Sequence, residues 1–299
     1  MTDPSQMALA RLHAQPPDIA RPVLLAGPTA SGKSALALWL ARTQGRVIIN
    51  ADALQVYDMW RVLSARPDND ETALAPHFLY GCVARGQDWS VGHWLRALRP
   101  ILLRHPNAVI VGGTGLYFRA LTEGLVEIPP TPADIRAQAD RHMAANGAAA
   151  LLAELDPATE ARIDTANPAR IQRAWEVLRT TGRGLASWQD DTPPPLLPQG
   201  NTTPYVLRPP KDWLNTRIDS RFDTMIAAGA LEEARAMLPH WSPGAPWTKA
   251  IGAPDLIAHL QGHMSLSGAI DAAKLATRQY AKRQRTWFRN RMQGWISLP

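Results

Sequence analysis

Eight residues limit this chain more than any other feature. Gly27-Pro28-Thr29-Ala30-Ser31-Gly32-Lys33-Ser34 matches G-x-x-x-x-G-K-[ST]. An apolar run, Pro22 to Ala26, precedes it, and the alanine- and leucine-rich stretch Ala35 to Ala41 follows. That context reads as strand, loop and helix, the setting in which such a loop binds phosphate. Successive backbone N–H groups line the loop and make a nest for phosphate oxygens. Gly27 and Gly32 permit backbone turns and close approaches that a side chain would block. Lys33 brings a positive charge to the outer phosphates, Ser34 offers a hydroxyl to Mg2+, and the helix start adds its positive dipole end.

The motif also directs the reading of the rest of the chain. Val47-Ile48-Ile49, closing on Asn50-Ala51-Asp52, reads as a second buried strand. Residues 91–104 read as a helix with one apolar face, and Ala108 to Val111 as a strand that runs into Gly112-Gly113-Thr114-Gly115. Strands alternating with helices predict a parallel α/β sheet covered on both faces. Beyond Pro129-Pro130-Thr131-Pro132 the texture changes. Residues 133–188 are rich in Ala, Arg, Glu and Leu and contain no strand-like run until the second proline cluster at Pro193-Pro194-Pro195. Asp156-Pro157 and Asn167-Pro168 each set a capping residue before a proline, a helix-start signature. The expected organisation is an N-terminal extension at 1–20, an α/β core at 21–125 and 193–299, and a helical insertion at 126–192. The other possibility is that these helices continue one domain.

Composition removes several classes. With 45% hydrophobic residues the chain is not intrinsically disordered. Its single cysteine, Cys82, excludes an internal disulfide framework and a multi-cysteine zinc site. No long apolar run suggests a membrane span, and the first twenty residues lack the apolar core of a secretory signal, so a cytoplasmic protein is expected. The formal net charge is +6, and residues 270–299 alone hold seven basic residues against Asp271. On a helix, Arg278, Lys282, Arg285 and Arg289 share one face, which reads either as a track for a nucleic-acid backbone or as a solvated surface.

Nucleotide hydrolases with such a loop carry an acid at the end of a later apolar strand. Here that strand ends in glycines and Thr114. The acid that ends a strand is Asp52, and three roles are open to it from topology: Mg2+ ligand, general base or helix cap.

Taken together, the motifs resemble the tRNA dimethylallyltransferase (isopentenyl-tRNA transferase) family. The resemblance runs from about residue 22 to residue 297. It rests on the phosphate loop, Asn50 to Tyr57, Ser64-Ala65-Arg66-Pro67, Pro76-His77, Val111 to Phe118, Asn167 to Ala174, Ala250-Ile251-Gly252 and Thr277 to Arg289. It implies a nucleotide-kinase-like α/β core with an inserted helical domain that grips the anticodon stem of tRNA. The implied substrates are dimethylallyl pyrophosphate and the adenine immediately 3′ of the anticodon in tRNAs reading codons that begin with U. The phosphate loop, Gly27 to Ser34, would then hold pyrophosphate as a leaving group, with Mg2+ at Ser34.

By the same resemblance Asp52 is the general base, Thr114 lies near the reacting groups and Arg217 neutralises pyrophosphate. The implied tRNA contacts are Asp52, Ala53, Leu54, Gln55 and Thr114; Ala169, Arg170, Ile171, Gln172 and Arg173; and Lys249, Ala250, Ile251, Gly252, Ala253 and Pro254, with the basic stripe added. Ala53 stands where serine is usual, Phe78 where a second histidine is common, and Ala253-Pro254 where tyrosine and a basic residue are usual. A monomer is expected. The competing readings are a small-molecule kinase using ATP and an RNA-binding module that uses nucleotide as a switch.

Overall fold

Four apolar runs and two less obvious ones pair into a single sheet in the computed structural model, which describes residues 3–299. The strands are β1 (Val23–Ala26), β2 (Ile48–Asn50), β3 (His77–Phe78), β4 (Val109–Gly112), β5 (Thr203–Leu207) and β6 (Ile296–Leu298). Their order across the sheet is β3-β2-β4-β1-β5-β6, and every pairing is parallel. All residues of β1, β2 and β4 are buried, as continuous apolar strands in a covered parallel sheet require. The carboxyl ends of β1, β4 and β2 lie side by side, and ligands of such sheets bind there.

Helices follow the strands. α1 (Pro4–Ala14) precedes β1, and α2 (Lys33–Gln44) leaves the phosphate loop and stops at Gly45, whose φ of 63° caps it. α3 (Asn69–Leu74), α4 (Val91–Arg104) and α5 (Gly115–Glu123) complete the first half. After β5 come α10 (Lys211–Ala227), α11 (Ala230–Met237), α12 (Ala253–Leu260) and the 26-residue α13 (Leu266–Arg291). Together these form one compact unit, Met1–Thr122 with Leu197–Pro299.

The first twenty residues do more than extend the chain. Asp3 caps α1 by accepting from the Ser5 N–H at 2.7 Å, and Ala8 and Leu12 are buried against Val23, Leu25, Leu36, Leu40, Tyr205 and Leu298. Polar and basic residues set among the apolar ones of α1 hid this packing face. A second apolar cluster joins Trp60, Phe222, Trp247 and Leu256, with the Trp60 indole donating to the Trp247 carbonyl at 2.8 Å.

The other compact unit is Glu123–Leu196. It consists of α6 (Ala133–Leu152), α7 (Pro157–Arg162), α8 (Pro168–Thr181) and α9 (Leu185–Asp190). Asp156 and Asn167 cap α7 and α8 by accepting from Thr159 and Ala169 N–H groups. Ala139, Leu151, Ile171, Ala174 and Trp175 make its core. Several of its carboxylates are paired internally. Glu154 accepts from the Trp175 indole and from Arg179 and lies 2.9 Å from His142 Nε2. Glu176, 4% exposed, sits 3.8 Å from both Arg136 and Arg173. Among the described residues, no helix is long and apolar enough to cross a membrane.

Candidate active site

β1 ends between β4 and β5, and the Gly27 N–H donates to the Gly112 carbonyl of β4. The loop then folds on itself through two left-handed residues, Ala30 at φ 62° and Gly32 at φ 88°. For glycine that conformation is free; for alanine it costs roughly 1–3 kcal/mol and survives only where surroundings impose it, commonly at functional sites. Lys33 is 9% exposed, and its ammonium reaches back to the Pro28 carbonyl at 3.3 Å. Burial lowers its pKa to about 8, with Asp52 opposing the shift. Ser34, next along, is exposed and faces the same cleft.

The end of β2 is fixed by its own polar residue. Buried Asn50 donates to the carbonyls of Asp52 (3.0 Å) and Leu79 (2.9 Å) and accepts from the Asp52 N–H (2.8 Å). Asp52 in turn accepts from the Leu54 N–H at 3.0 Å through one oxygen. Thr114 accepts from the Ala53 N–H at 2.9 Å and donates its own N–H to the Ala51 carbonyl. This approach demands glycine at the end of β4: a Cβ on Gly112 would lie 2.1 Å from the Ala51 carbonyl carbon.

One cleft collects these groups. Its lining includes Thr29, Ala30, Lys33, Ser34, Asp52, Leu54 and Gln55 from the sheet end, and its empty space, partly open to solvent, is about 730 Å3. The opposite walls are Leu63, Ser64 and Ala65; Ile218, Arg221, Phe222 and Met225 of α10; Ala250 and Ile251; and Thr277 and Tyr280 of α13. Gln55 braces one wall by donating to the Ser64 and Ala65 carbonyls, and Ala65 is another left-handed alanine at φ 51°. The cleft is therefore mixed in chemistry. Lys33 of the phosphate loop and Arg221 of α10 bring two cations to it, and Leu54, Leu63, Phe222, Met225 and Ile251 supply apolar lining.

The structure distributes the expected residues unevenly. Asp52, Leu54 and Gln55 line the cleft, whereas Ala53 and Thr114 stand behind them as supports. Arg217 is exposed at the loop's outer side: its guanidinium stacks 4.8 Å over Trp213, and its Nε donates to the Ala30 carbonyl at 3.1 Å. The arginine that lines the cleft is Arg221, one helical turn later, its pKa lowered by burial and then by Arg217, with Asp52 and Glu71 opposing. Sequence reasoning missed Arg221; the i, i+4 spacing from Arg217 along a helix was the available signal.

Lys249 and Pro254 are exposed, Ala250 and Ile251 line the cleft, and Gly252 and Ala253 are buried, Ala253 completely. A side chain with no solvent contact cannot reach RNA, so Ala253 serves the core. The basic stripe also divides. Arg278 pairs with Asp219, and Lys274 with Asp223 at 2.6 Å, tying α13 to α10. Lys282 and Arg289 are exposed and Arg285 half-buried. In the helical unit Ala169 and Arg170 are exposed, Ile171 is core, Gln172 bonds Asp140 and Glu176, and Arg173 donates to Thr131 at 2.6 Å.

Two family models match the chain: one described as IPP transferase over residues 55–291, and one described as isopentenyl transferase over residues 21–76. The chain belongs to the IPP transferase family. It is thus a prenyltransferase. Among curated relatives, a tRNA dimethylallyltransferase of Cereibacter sphaeroides is 61% identical over 97% of this chain and 94% of that protein. One from Dinoroseobacter shibae is 62% identical over 93% of this chain and 95% of that protein. The solved tRNA isopentenylpyrophosphate transferase of Bacillus halodurans superposes with a TM-score of 0.63 at 28% identity, covering 93% of this chain and 89% of that one. A eukaryotic dimethylallyltransferase acting on tRNA shares the fold, with a TM-score of 0.75 at 23% identity over 89% of this chain and 69% of that one.

Proposed function

We propose that this member of the family transfers the dimethylallyl group of dimethylallyl pyrophosphate to the exocyclic amine of the adenine immediately 3′ of the anticodon. The tRNAs would be those reading codons that begin with U, and pyrophosphate is released. The observation that carries this reading is the mixed lining of the cleft: two cations, Lys33 and Arg221, and one carboxylate, Asp52, share it with a set of apolar side chains. A diphosphate ester of a short hydrocarbon has the same mixed character.

The amine of adenine is a weak nucleophile, because its lone pair is delocalised into the ring. The allylic carbon gains cationic character as its bond to pyrophosphate lengthens. Lys33, Arg221 and the loop N–H groups stabilise the charge that accumulates on the departing oxygens. Arg217 supports them from outside by fixing the Ala30 carbonyl. Leu54, Leu63, Phe222, Met225 and Ile251 hold the prenyl chain and keep water from it. Asp52 accepts the amine proton as the C–N bond forms, the point at which the amine becomes acidic. Ser34, whose hydroxyl is a hard oxygen donor in the same cleft, is the residue that would hold Mg2+. Among the described residues no cluster of three metal-ligating side chains exists. Bound Mg2+ would supply further charge neutralisation on the leaving group.

The target adenine must leave its stack to enter the cleft. The anticodon stem-loop is the partner, gripped through Lys249, Lys282, Arg285 and Arg289 and, on the helical unit, through the exposed Ala169 and Arg170. On this reading one copy of the chain suffices, and the reaction runs in the cytoplasm. Incubation with labelled dimethylallyl pyrophosphate, Mg2+ and unmodified tRNA without ATP, followed by nucleoside analysis, tests it. Label on the adenine 3′ of the anticodon is expected. Label that enters only with ATP, or stoichiometric ADP, would restore the kinase reading.

A further inference from the structure

α13 carries a residue whose bonds are unlike those of its neighbours. Gln284 is 5% exposed, and both ends of its carboxamide are used by loops at the sheet end. Its oxygen accepts from the Thr29 N–H of the phosphate loop at 2.9 Å. Its nitrogen donates to the Gly113 carbonyl, just after β4, also at 2.9 Å. Since β4 stands between β1 and β2, these two bonds join the leaving-group end of the cleft to the loop that supports Asp52. A Cβ on Gly113 would lie 2.3 Å from the Gln284 nitrogen and 3.0 Å from an Asp52 oxygen, so the missing side chain leaves the space both groups share.

Two further contacts belong to the same arrangement. Tyr280, one turn before Gln284, bonds Thr114, and its hydroxyl pKa is raised first by burial and then by Asp52. Thr114 holds the Ala53 N–H. Thr277 and Tyr280 of α13 thus line the cleft and Gln284 lies one turn beyond Tyr280, while Lys282 and Arg289 on the same helix are exposed. Gln284 does not itself line the cleft.

We propose that Gln284 is a positioning residue that sets the distance between the diphosphate held by the phosphate loop and the amine acceptor held at Asp52. The proposal rests on the prenyl-transfer reading above. Only an amide of this length meets the requirement. One end must accept from an N–H and the other must donate to a carbonyl, and asparagine is one carbon short. An ionised glutamate can accept but not donate, so it would set a negative charge against the Gly113 carbonyl. An apolar isostere leaves two buried backbone groups unpaired. Rates of group transfer are steep in this spacing: a displacement of about 1 Å costs on the order of 10²-fold.

The test compares the full chain with Gln284→Met, Gln284→Glu and Gln284→Asn. Four quantities are read: pyrophosphate affinity, single-turnover transfer to an anticodon stem-loop with both substrates saturating, thermal stability, and the fraction of donor lost to water. In that last reaction the bond from the allylic carbon to pyrophosphate breaks and a bond to a water oxygen forms. The proton goes to solvent, and dimethylallyl alcohol and pyrophosphate result.

The expected result is a transfer rate lower by roughly 10–100-fold, pyrophosphate affinity within about threefold, and a larger share of alcohol, with Gln284→Met and Gln284→Glu both impaired. A purely structural residue would lower stability and rate together without changing the alcohol share. That pattern, or an unchanged rate in all three variants, overturns the proposal. If the unaltered chain transfers nothing to tRNA, the functional reading fails and takes this proposal with it.

Discussion

The cleft and the helical unit treat charge in opposite ways. In the cleft, burial lowers the pKa of Lys33 to about 8 and lowers that of Arg221 as well. Asp52 opposes both shifts and offsets neither. In the helical unit the Glu154 carboxyl is held down at about 2, first by the His142 hydrogen bond, then by the Trp175 indole and Arg179. Glu176 lies between Arg136 and Arg173 and accepts from Gln172 at 3.1 Å. The difference is instructive. Charges satisfied within the protein give a shape. Cations left under-compensated, beside left-handed alanines at positions 30 and 65, mark a place built for an anion that arrives later.

The comparison can be broken most severely at Asp52. Asp52→Ala is expected to lower single-turnover transfer by roughly 10²–10⁴-fold while pyrophosphate affinity changes little. Asp52→Asn keeps an acceptor but cannot take the proton, and the same loss is expected. Full recovery with excess Mg2+ would instead make Asp52 a metal ligand. The two arginines sharpen the picture next. Arg221→Met should weaken pyrophosphate binding about tenfold or more, since it removes a charge-assisted hydrogen-bond donor from the cleft. Arg217→Met should do so by less, because its contact is with the loop carbonyl. Equal effects, measured by calorimetry, would mean that the loop rearranges around the ligand.

Smaller effects are expected at the surface and in the helical unit. Reversing Lys282, Arg285 and Arg289 should weaken tRNA binding without altering pyrophosphate binding. Each tRNA phosphate that is no longer neutralised should reduce the salt slope by roughly 0.7–0.9. Arg278→Glu, by contrast, should show itself as lost stability, because Arg278 pairs with Asp219. Glu154→Gln should lower thermal stability slightly at neutral pH and leave donor binding intact. The sign follows from the depressed pKa: the contribution of Glu154 is present above the ordinary value of 4.5 and fades as pH falls toward 2. A variant whose acid unfolding matches the unaltered chain would show that this pairing contributes nothing.

Much of the sheet end was legible because its signals are local. β1, α2, β2 and β4 announce themselves as apolar runs, a glycine loop and a glycine stop within a few residues of one another. Asp52 could be placed because parallel strands put their carboxyl ends together. β3 and β6 were not legible: one is two half-buried residues, and the other has Ile296 and Ser297 exposed, so neither shows an apolar run. α1 hid its packing face among polar residues. Arg221 and Gln284 were missed for a different reason. Their chemistry comes from helices that close on the cleft from more than a hundred residues away, and no spacing within the phosphate loop points to them. For the same reason Ala253 and Arg278, legible as motif members, turned out to be a core residue and an internal ion pair.

The central claim is that the cleft is a cation site awaiting a diphosphate, and proton linkage at Lys33 tests it most directly. The buried ammonium has a depressed pKa in the free protein, so it loses its proton as pH rises through about 8, well before an exposed lysine at 10.5. A bound diphosphate favours the charged form and raises that pKa again. Calorimetric titration with inorganic pyrophosphate near pH 8.5, in buffers of different ionisation enthalpy, gives the protons exchanged. Subtracting the same titration of Lys33→Met isolates the lysine. The account predicts net uptake of part of a proton by the unaltered chain relative to the variant, and affinity that falls as pH rises through about 8. Equal proton exchange in both proteins, with affinity unchanged across that range, would contradict it.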